Sequence, residues 1–341
     1  MKKVFLPFII ILISLHFSIA QDHLLELNPA CPGVQSPFTK VLVLDKLANK
    51  ELLGFVKGSF DKREQIRYEG SLADTLGKYF ILNSSPAIKP RTIVLIINEL
   101  FLSEMKGDFG ESGSLKLALR LFAEKENGNF SELFSIDSVY TVRGMDVTKK
   151  LLRSVNEQLC QISNRAATLQ PSHYENNTEF ELSDLYTLEN LEKLSIPLYT
   201  TNHTAKGIYN TFKDLKINTP NDTCEIFVDT TNINKIKVYK VYKVKNRKFR
   251  LETEGIYAIS NGDKLYKATA YGFYEVKKES NDFFYFRPAT ISESNLGANI
   301  GATFGLVGAL LASGLQDNKA KFYKFKINYR RGNSTPITIL Q

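Results

Sequence analysis

The strongest pattern in the first half of the chain is a run of apolar residues from Thr92 to Leu102. Both alternating faces of this run are apolar, which is typical of a central strand that is covered on both sides. After it, Leu115 to Leu121 alternates leucine with two basic residues, Lys116 and Arg120. This period of two predicts a neighbouring strand with one buried face and one face toward solvent.

Two amphipathic stretches predict helices beside these strands. Ser71 precedes the first stretch and Asp74 follows three residues later, a spacing that predicts a capped helix start. The second and longer stretch begins at Asp146 or Thr148, either of which is a suitable N-cap. We therefore predict an α+β domain over residues 21–167, in which an antiparallel sheet is covered by helices.

The composition changes after this predicted domain. Residues 168–206 are polar and contain a short leucine-spaced segment, so we expect a connector that docks partly on its neighbours. Residues 207–341 are dominated by strand patterns and predict a β-rich module. Near its start, Thr211 and Asp214 have the spacing of a short capped helix.

One predicted strand of this module runs from Lys235 to Lys245 and has a basic face and an apolar face. Its candidate anion-binding residues occupy the odd positions Lys235, Lys237, Lys243 and Lys245. The favoured alternative is an edge strand, whose lysines prevent pairing with other chains. Alternation assigns most of the nearby tyrosines to cores rather than to an exposed glycan-binding role: Tyr239, Tyr257, Tyr271 and Tyr274.

An uncharged stretch, Leu296 to Leu315, interrupts the strand patterns of the module. Small residues recur at every fourth position, and on a helix they would form one ridge: Gly297, Gly301, Gly305, Ala309 and Ser313. The interior glycines cost such a helix roughly 3–4 kcal/mol of propensity, which close packing must offset. The length also suits a transmembrane span. The alternating strand from Tyr323 to Tyr329 favours instead a glycine-rich helix (296–315) enclosed by the β-rich module.

The first residues of the chain have the pattern of a secretory signal peptide over residues 1–20. Two lysines precede an apolar run, and a small-residue cleavage site places the cut between Ala20 and Gln21. We therefore expect a periplasmic, outer-membrane-associated or extracellular protein. The net charge of +8 falls to +6 when Lys2 and Lys3 are removed. An exported protein rarely meets nucleic acid, so anionic glycans or lipid headgroups are the expected partners of this charge.

Three cysteines, Cys31, Cys160 and Cys224, lack the spacing of a metal site. In an oxidising compartment they allow one disulfide and one free thiol, but the sequence does not select the pair. Cys160 lies on the apolar face of the predicted long helix, where we expect it to fill the core.

Motifs of catalysis are missing from the sequence. There is no nucleophile elbow, P-loop or zinc-protease motif, and the histidines after the signal peptide (His23, His173 and His203) are unpaired along the chain. Carboxylates two residues apart, such as Glu179 and Glu181, share one strand face and are expected to be solvated. We therefore predict no bound metal and no cofactor. No motif in the sequence supports an enzymatic activity.

Several segments of the second module resemble secreted proteins of unknown function of the Bacteroidota type. They are GIYNTFKDLKINTP (207–220), GIYAISNGDKLYKATAYGFYEV (255–276) and DFFYFRPA (282–289), together with the glycine-rich stretch. The N-terminal half, with RTIVLIINELFLSE (91–104), resembles envelope-associated accessory domains. The resemblance implies an extracytoplasmic and non-catalytic role, and it assigns no functional residue.

Three hypotheses of function follow. The leading one is an exported, non-catalytic binding or assembly component of the cell envelope, whose partner is an envelope protein, a glycan or a lipid surface. The second is a hydrolase of envelope polysaccharide or peptide, which requires a pocket that holds two carboxylates or a Ser/Cys–His pair. The third is a periplasmic protein anchored by a single span at 296–315.

Overall fold

The fold was analysed in a computed structural model of the chain. The structure describes residues 23–32, 35–47, 50, 53–57, 63–82, 91–107, 110–231, 236–242, 247–289 and 321–340. The predicted cleavage site at Ala20 and Gln21 lies outside these residues. So does the predicted glycine ridge, Gly297, Gly301, Gly305, Ala309 and Ser313.

The N-terminal sheet has eight strands. They are β1 His23–Leu24, β2 Phe38–Asp45, β3 Gly54–Lys57, β4 Arg63–Arg67, β5 Arg91–Gly107, β6 Gly110–Glu124, β7 Phe130–Gly144 and β8 Glu179–Phe180. The strand order is β1-β4-β3-β5-β6-β7-β8, and β2 also pairs with β5. The α+β class is confirmed. The sheet is mixed rather than antiparallel, because β2 and β3 both run parallel to β5 and β1 runs parallel to β4.

Two helices cover one face of this sheet, α1 Leu72–Ile81 and α2 Thr148–Thr168. The predicted start of α1 is confirmed, since the Ser71 side chain accepts a hydrogen bond from the Asp74 N–H. The start of α2 differs from the prediction because Val147 is the N-cap. Asp146 Oδ1 instead accepts the N–H of Thr148, the first helical residue, at 3.3 Å.

Strand β5 is central, as its double apolar pattern predicted. Ile93, Leu95 and Ile97 pack in the core under α1 and α2. Val94 and Ile96 pack in a second core on the opposite face, together with Leu185 and Leu188. The strand is therefore buried on both sides.

The prediction of a half-buried β6 was wrong. Lys116 and Arg120 are 9% and 5% exposed, because later parts of the chain cover the face that was expected to meet solvent. The cysteine prediction also needs correction: Cys160 is bonded to Cys31 across 129 residues, so it ties the N-terminal segment to α2 rather than simply filling the core.

The segment after α2 contains short elements that pack on both parts of the protein. A 3₁₀ turn at Pro171–His173 and strand β8 precede α3 Leu182–Tyr186, α4 Leu188–Leu194 and α5 Pro197–Thr200. Helices α3 and α4 supply Leu185 and Leu188 to the second core of the N-terminal sheet. Helix α5 supplies Leu198 and Tyr199 to a core that also contains Phe283 of the C-terminal part.

The C-terminal part contains ten strands and one helix among the described residues. The elements are β9 Gly207–Tyr209, α6 Phe212–Lys216, β10 Glu225–Asp229, β11 Lys237–Tyr242, β12 Arg247–Arg250, β13 Ala258–Ser260, β14 Leu265–Thr269, β15 Gly272–Glu279, β16 Asp282–Ala289, β17 Lys321–Ile327 and β18 Ser334–Leu340. Seven strands form an antiparallel sheet in the order β18-β17-β16-β15-β14-β13-β9, and the other three form a sheet in the order β10-β11-β12.

Helix α6 has the predicted capping box between Thr211 and Asp214. The turn between β17 and β18 contains Gly332 at φ +77°, where a Cβ would meet the Phe212 ring at 2.1 Å. Only glycine therefore allows this turn to pack so closely against α6.

Candidate binding surface

One open groove lies at an end of the N-terminal sheet and has a volume of about 1010 Å³. Strands β3, β5 and β6 contribute Lys57, Glu104 and Glu111, and the start of α2 contributes Thr148. The N-terminal segment forms another wall, where His23 Nε2 lies 2.6 Å from Glu64 Oε2. The groove therefore has a mainly polar lining.

Two carboxyl groups of this groove have opposite pKa shifts. Burial raises the pKa of Glu104, although hydrogen bonds from the Thr148 hydroxyl and the Lys57 N–H oppose the change. The Lys57 ammonium, whose Nζ lies 2.6 Å from Glu111 Oε1, lowers the pKa of Glu111.

Other protein groups hold the two carboxyl groups. Glu104 Oε2 accepts hydrogen bonds from the Thr148 hydroxyl at 2.6 Å and from the Lys57 N–H at 3.3 Å, and Glu111 Oε1 accepts one from Lys57 Nζ at 2.6 Å. These contacts join three strands to the start of α2. The groove meets the broad requirement for two carboxylates, but its geometry is that of a structural contact.

Two further findings concern the part of the chain that the structure describes. There, no group of three or more histidine, cysteine or acidic residues is arranged to hold a metal ion. Among the same residues, no helix is both long and apolar enough to cross a membrane.

A different feature lies on the three-stranded sheet, where one face presents aromatic and basic side chains. Register places Phe227, Tyr239 and Arg250 opposite one another across β10, β11 and β12. Lys237 and Lys248 belong to the same face by alternation. We call these five residues the basic aromatic surface.

The rings of this surface interact with each other and with its cations. The centroids of Phe227 and Tyr239 are 6.0 Å apart with tilted planes. The Lys248 ammonium lies 3.3 Å from the centroid of the Phe227 ring, a cation–π contact. Phe227 remains 42% exposed, and Lys248 and Arg250 are exposed as well. A ligand can therefore reach both rings and charges.

Acidic side chains near the surface offset only part of its charge. Glu225 pairs with Lys206 at 3.0 Å, outside the five residues. Asp229 Oδ1 accepts hydrogen bonds from Thr231, which lower the pKa of Asp229, and Lys237 and Lys248 lower it further. Arg250 also lies 3.5 Å from Glu252. Together with Lys206, the three cations of the surface outnumber these three carboxylates by one, and this remaining positive charge suits an anionic ligand.

The structure places only part of the predicted anion-binding set. Lys237 lies on the basic aromatic surface, whereas Lys235, Lys243 and Lys245 lie outside the described residues. The edge-strand alternative was wrong, because β11 is the middle strand of its sheet. Of the four tyrosines, Tyr239 lies on the surface, Tyr271 is 50% exposed, Tyr274 is buried and Tyr257 packs against the core of the seven-stranded sheet.

Sequence reasoning missed Phe227, Lys248 and Arg250. Their segments, EIFVD and RKFR, are short strands that each contain one phenylalanine and at least two charged residues. That composition was the available signal. It could not show that the segments flank β11, because pairing between strands depends on tertiary structure.

Other basic strand residues are used inside the protein. Arg120 of β6 donates to Glu132 of β7 and to Glu192 of α4, at distances from 2.5 to 3.1 Å. Lys193 of α4 is 1% exposed and lies 2.7 Å from both Glu189 and Asp282. These buried pairs join the N-terminal sheet, α4 and the C-terminal sheet.

Comparison with known proteins gives little further information. No family model matches the sequence, and no curated protein matches it. Among solved structures, the chain is similar to a crystal structure of a Xanthomonas campestris protein of family DUF330, with 12% identity over 42% of this chain and 91% of that chain. The TM-score is 0.26, too low to carry an argument about fold or activity.

Proposed function

We propose that the protein is an exported, non-catalytic binding or assembly component of the cell envelope that contacts an anionic partner. The basic aromatic surface carries this proposal. It is a set of two rings and three cations on a regular three-stranded sheet, in which Phe227, Lys248 and Arg250 are exposed and Tyr239 and Lys237 are half-buried. A surface of this kind attracts anions through its charges and offers rings for stacking.

Export is supported by the predicted signal peptide and by the disulfide between Cys31 and Cys160. Disulfides form and persist mainly in oxidising compartments outside the cytosol. The non-catalytic role is supported by the contacts of the groove's two carboxyl groups, since Thr148 and Lys57 bind Glu104 and the Lys57 ammonium binds Glu111.

A binding experiment with a soluble anionic polymer tests the proposal. The mature chain is titrated with polygalacturonate and with a neutral dextran as the reference. We expect binding to polygalacturonate alone, weakened by added salt because exposed charges are screened. A variant with Lys237→Glu, Lys248→Glu and Arg250→Glu should lose this binding.

The matched control reverses three exposed lysines elsewhere, with Lys78→Glu, Lys150→Glu and Lys213→Glu. It has the same net charge as the first variant but an intact basic aromatic surface, so it should keep most of the affinity. Equal losses of polygalacturonate affinity in the two variants would show that only net charge determines binding and would contradict the proposal.

A further inference from the structure

We infer that β12 and the end of β11 dock on an anionic lipid surface, with their rings at the level of the headgroups. The inference rests on the proposed function and specifies the partner. The three-stranded sheet is attached to the larger C-terminal sheet through one of its faces. Val238 and Ile226 are buried against Phe273 and Tyr266 of the larger sheet, and Ile236 forms a bridge to Phe273. Cys224, just before β10, packs against the same core, so the contacts with the larger sheet follow β10 and the start of β11.

At the end of β11 and in β12, exposed side chains lie on both faces of the sheet. The face opposite the basic aromatic surface presents Tyr242 and Phe249, which are 47% and 53% exposed. Their rings contact each other edge-on with centroids 5.1 Å apart. Arg247 is exposed on the same face by alternation, and the Lys240 ammonium lies 5.2 Å from the Tyr242 ring centroid.

Charge along these two strands is of one sign. Strands β11 and β12 contain no acidic residue and carry five cations: Lys237, Lys240, Arg247, Lys248 and Arg250. Lys240 pairs with Asp222, and Arg250 lies 3.5 Å from Glu252. Basic residues near an anionic leaflet are attracted by its surface potential.

The two open faces distinguish a lipid surface from a glycan chain. A glycan stacked on Phe227 and Tyr239 would leave Tyr242 and Phe249 in water on the opposite face. A pair of strands inserted at headgroup depth is surrounded on both faces, and tyrosine is enriched at that depth because its ring is apolar and its hydroxyl polar. The placement of rings and cations on both faces therefore favours a lipid surface.

Co-sedimentation with vesicles tests the inference. The full mature chain is mixed with vesicles of phosphatidylcholine alone or of phosphatidylcholine with phosphatidylglycerol. We expect binding to the anionic vesicles only. Each of Lys248→Gln and Arg250→Gln should lower the affinity roughly fivefold, the effect of about 1 kcal/mol for one charge.

A second variant isolates the face that a glycan would not touch. Tyr242→Ser with Phe249→Ser should lower vesicle affinity at least as much as one charge substitution, while binding to polygalacturonate stays unchanged. Vesicle binding that is unaffected by this double variant would overturn insertion of the two strands.

The remaining outcomes separate the two proposals. A protein that binds polygalacturonate but not anionic vesicles would overturn lipid docking and leave the proposed function standing. A protein that binds neither would overturn both. Binding to anionic vesicles with the expected losses in both variants supports lipid docking.

Discussion

The basic residues of β6 and those of β11 and β12 look alike in the sequence but have opposite surroundings in the fold. In both regions lysine or arginine lies among apolar strand residues. Arg120 of β6 is 5% exposed and held between Glu132 and Glu192. Lys248 and Arg250 of β12 are exposed on an open sheet face.

This difference shows that a basic strand face becomes a binding surface only where the fold leaves it uncovered. Burying a guanidinium is costly unless carboxylates and hydrogen bonds replace water. For Arg120, Glu132 of β7 and Glu192 of α4 supply them. Strand β17 is similar, because Lys326 lies 2.9 Å from Asp282 and 3.1 Å from Glu189. The three-stranded sheet has no such covering element among the described residues.

The largest expected effect comes from removing a covered charge. Arg120→Ala leaves Glu132 and Glu192 facing each other without their shared partner, which should lower the free energy of unfolding by about 3–5 kcal/mol. Urea denaturation followed by circular dichroism measures the change. The matched Arg250→Ala variant removes the same side chain from the open surface and should change stability by about 0.5 kcal/mol or less.

Similar losses of unfolding free energy in Arg120→Ala and Arg250→Ala would contradict the difference between the covered and the open region. An Arg120→Met variant tests the same point, because replacing only one member of a buried charge group still leaves unpaired carboxylates. We therefore expect Arg120→Met to remain clearly less stable than the wild type.

A smaller effect is expected at Glu99, which belongs to the covered region. Burial raises the pKa of Glu99 from 4.5 to about 7, while Lys116 lowers it and Asp137 raises it. The folded protein therefore holds this proton more tightly than the unfolded chain. Its contribution to stability is full below pH 4.5 and is lost as pH rises to about 7.

Glu99→Gln removes this titration. At pH 8 the variant should be more stable than the wild type by about 1–3 kcal/mol, and the difference should shrink toward pH 5. Unfolding free energies measured across this pH range provide the test. A difference that stays constant with pH would show that Glu99 does not titrate in this window.

The smallest effect is expected on the open surface. Lys248→Ala removes the ammonium above the Phe227 ring, and an exposed cation–π contact contributes about 0.5–1 kcal/mol. Thermal unfolding should therefore change little, although affinity for an anionic ligand falls. A large loss of stability would mean that Lys248 has a structural role like that of Arg120.

Local patterns in the sequence predicted much of the fold but not the contacts between its parts. The strand β5, the Ser71 cap of α1 and the capping box of α6 each depend on residues close together in the chain. The burial of Arg120 depends on Glu192, which lies 72 residues later. The partner of Cys160 lies 129 residues away. Alternation alone could not show either contact.

The candidate surface was predictable only in part for the same reason. The lysine pattern identified Lys237, which lies on the surface. Phe227 and Arg250 join it through strand pairing on either side of β11. The predicted edge position of this strand was wrong because two short flanking strands had not been identified.

Lysine acetylation measured by mass spectrometry tests the central claim most directly. In the free protein, Lys237 and Lys248 should react faster than the covered Lys116 and Lys193, which are 9% and 1% exposed. Saturating phosphatidylglycerol vesicles or polygalacturonate should protect Lys237 and Lys248 and leave the slow residues unchanged. Unchanged reactivity of Lys237 and Lys248 in the bound protein would contradict the claim that the uncovered basic strands form its binding surface.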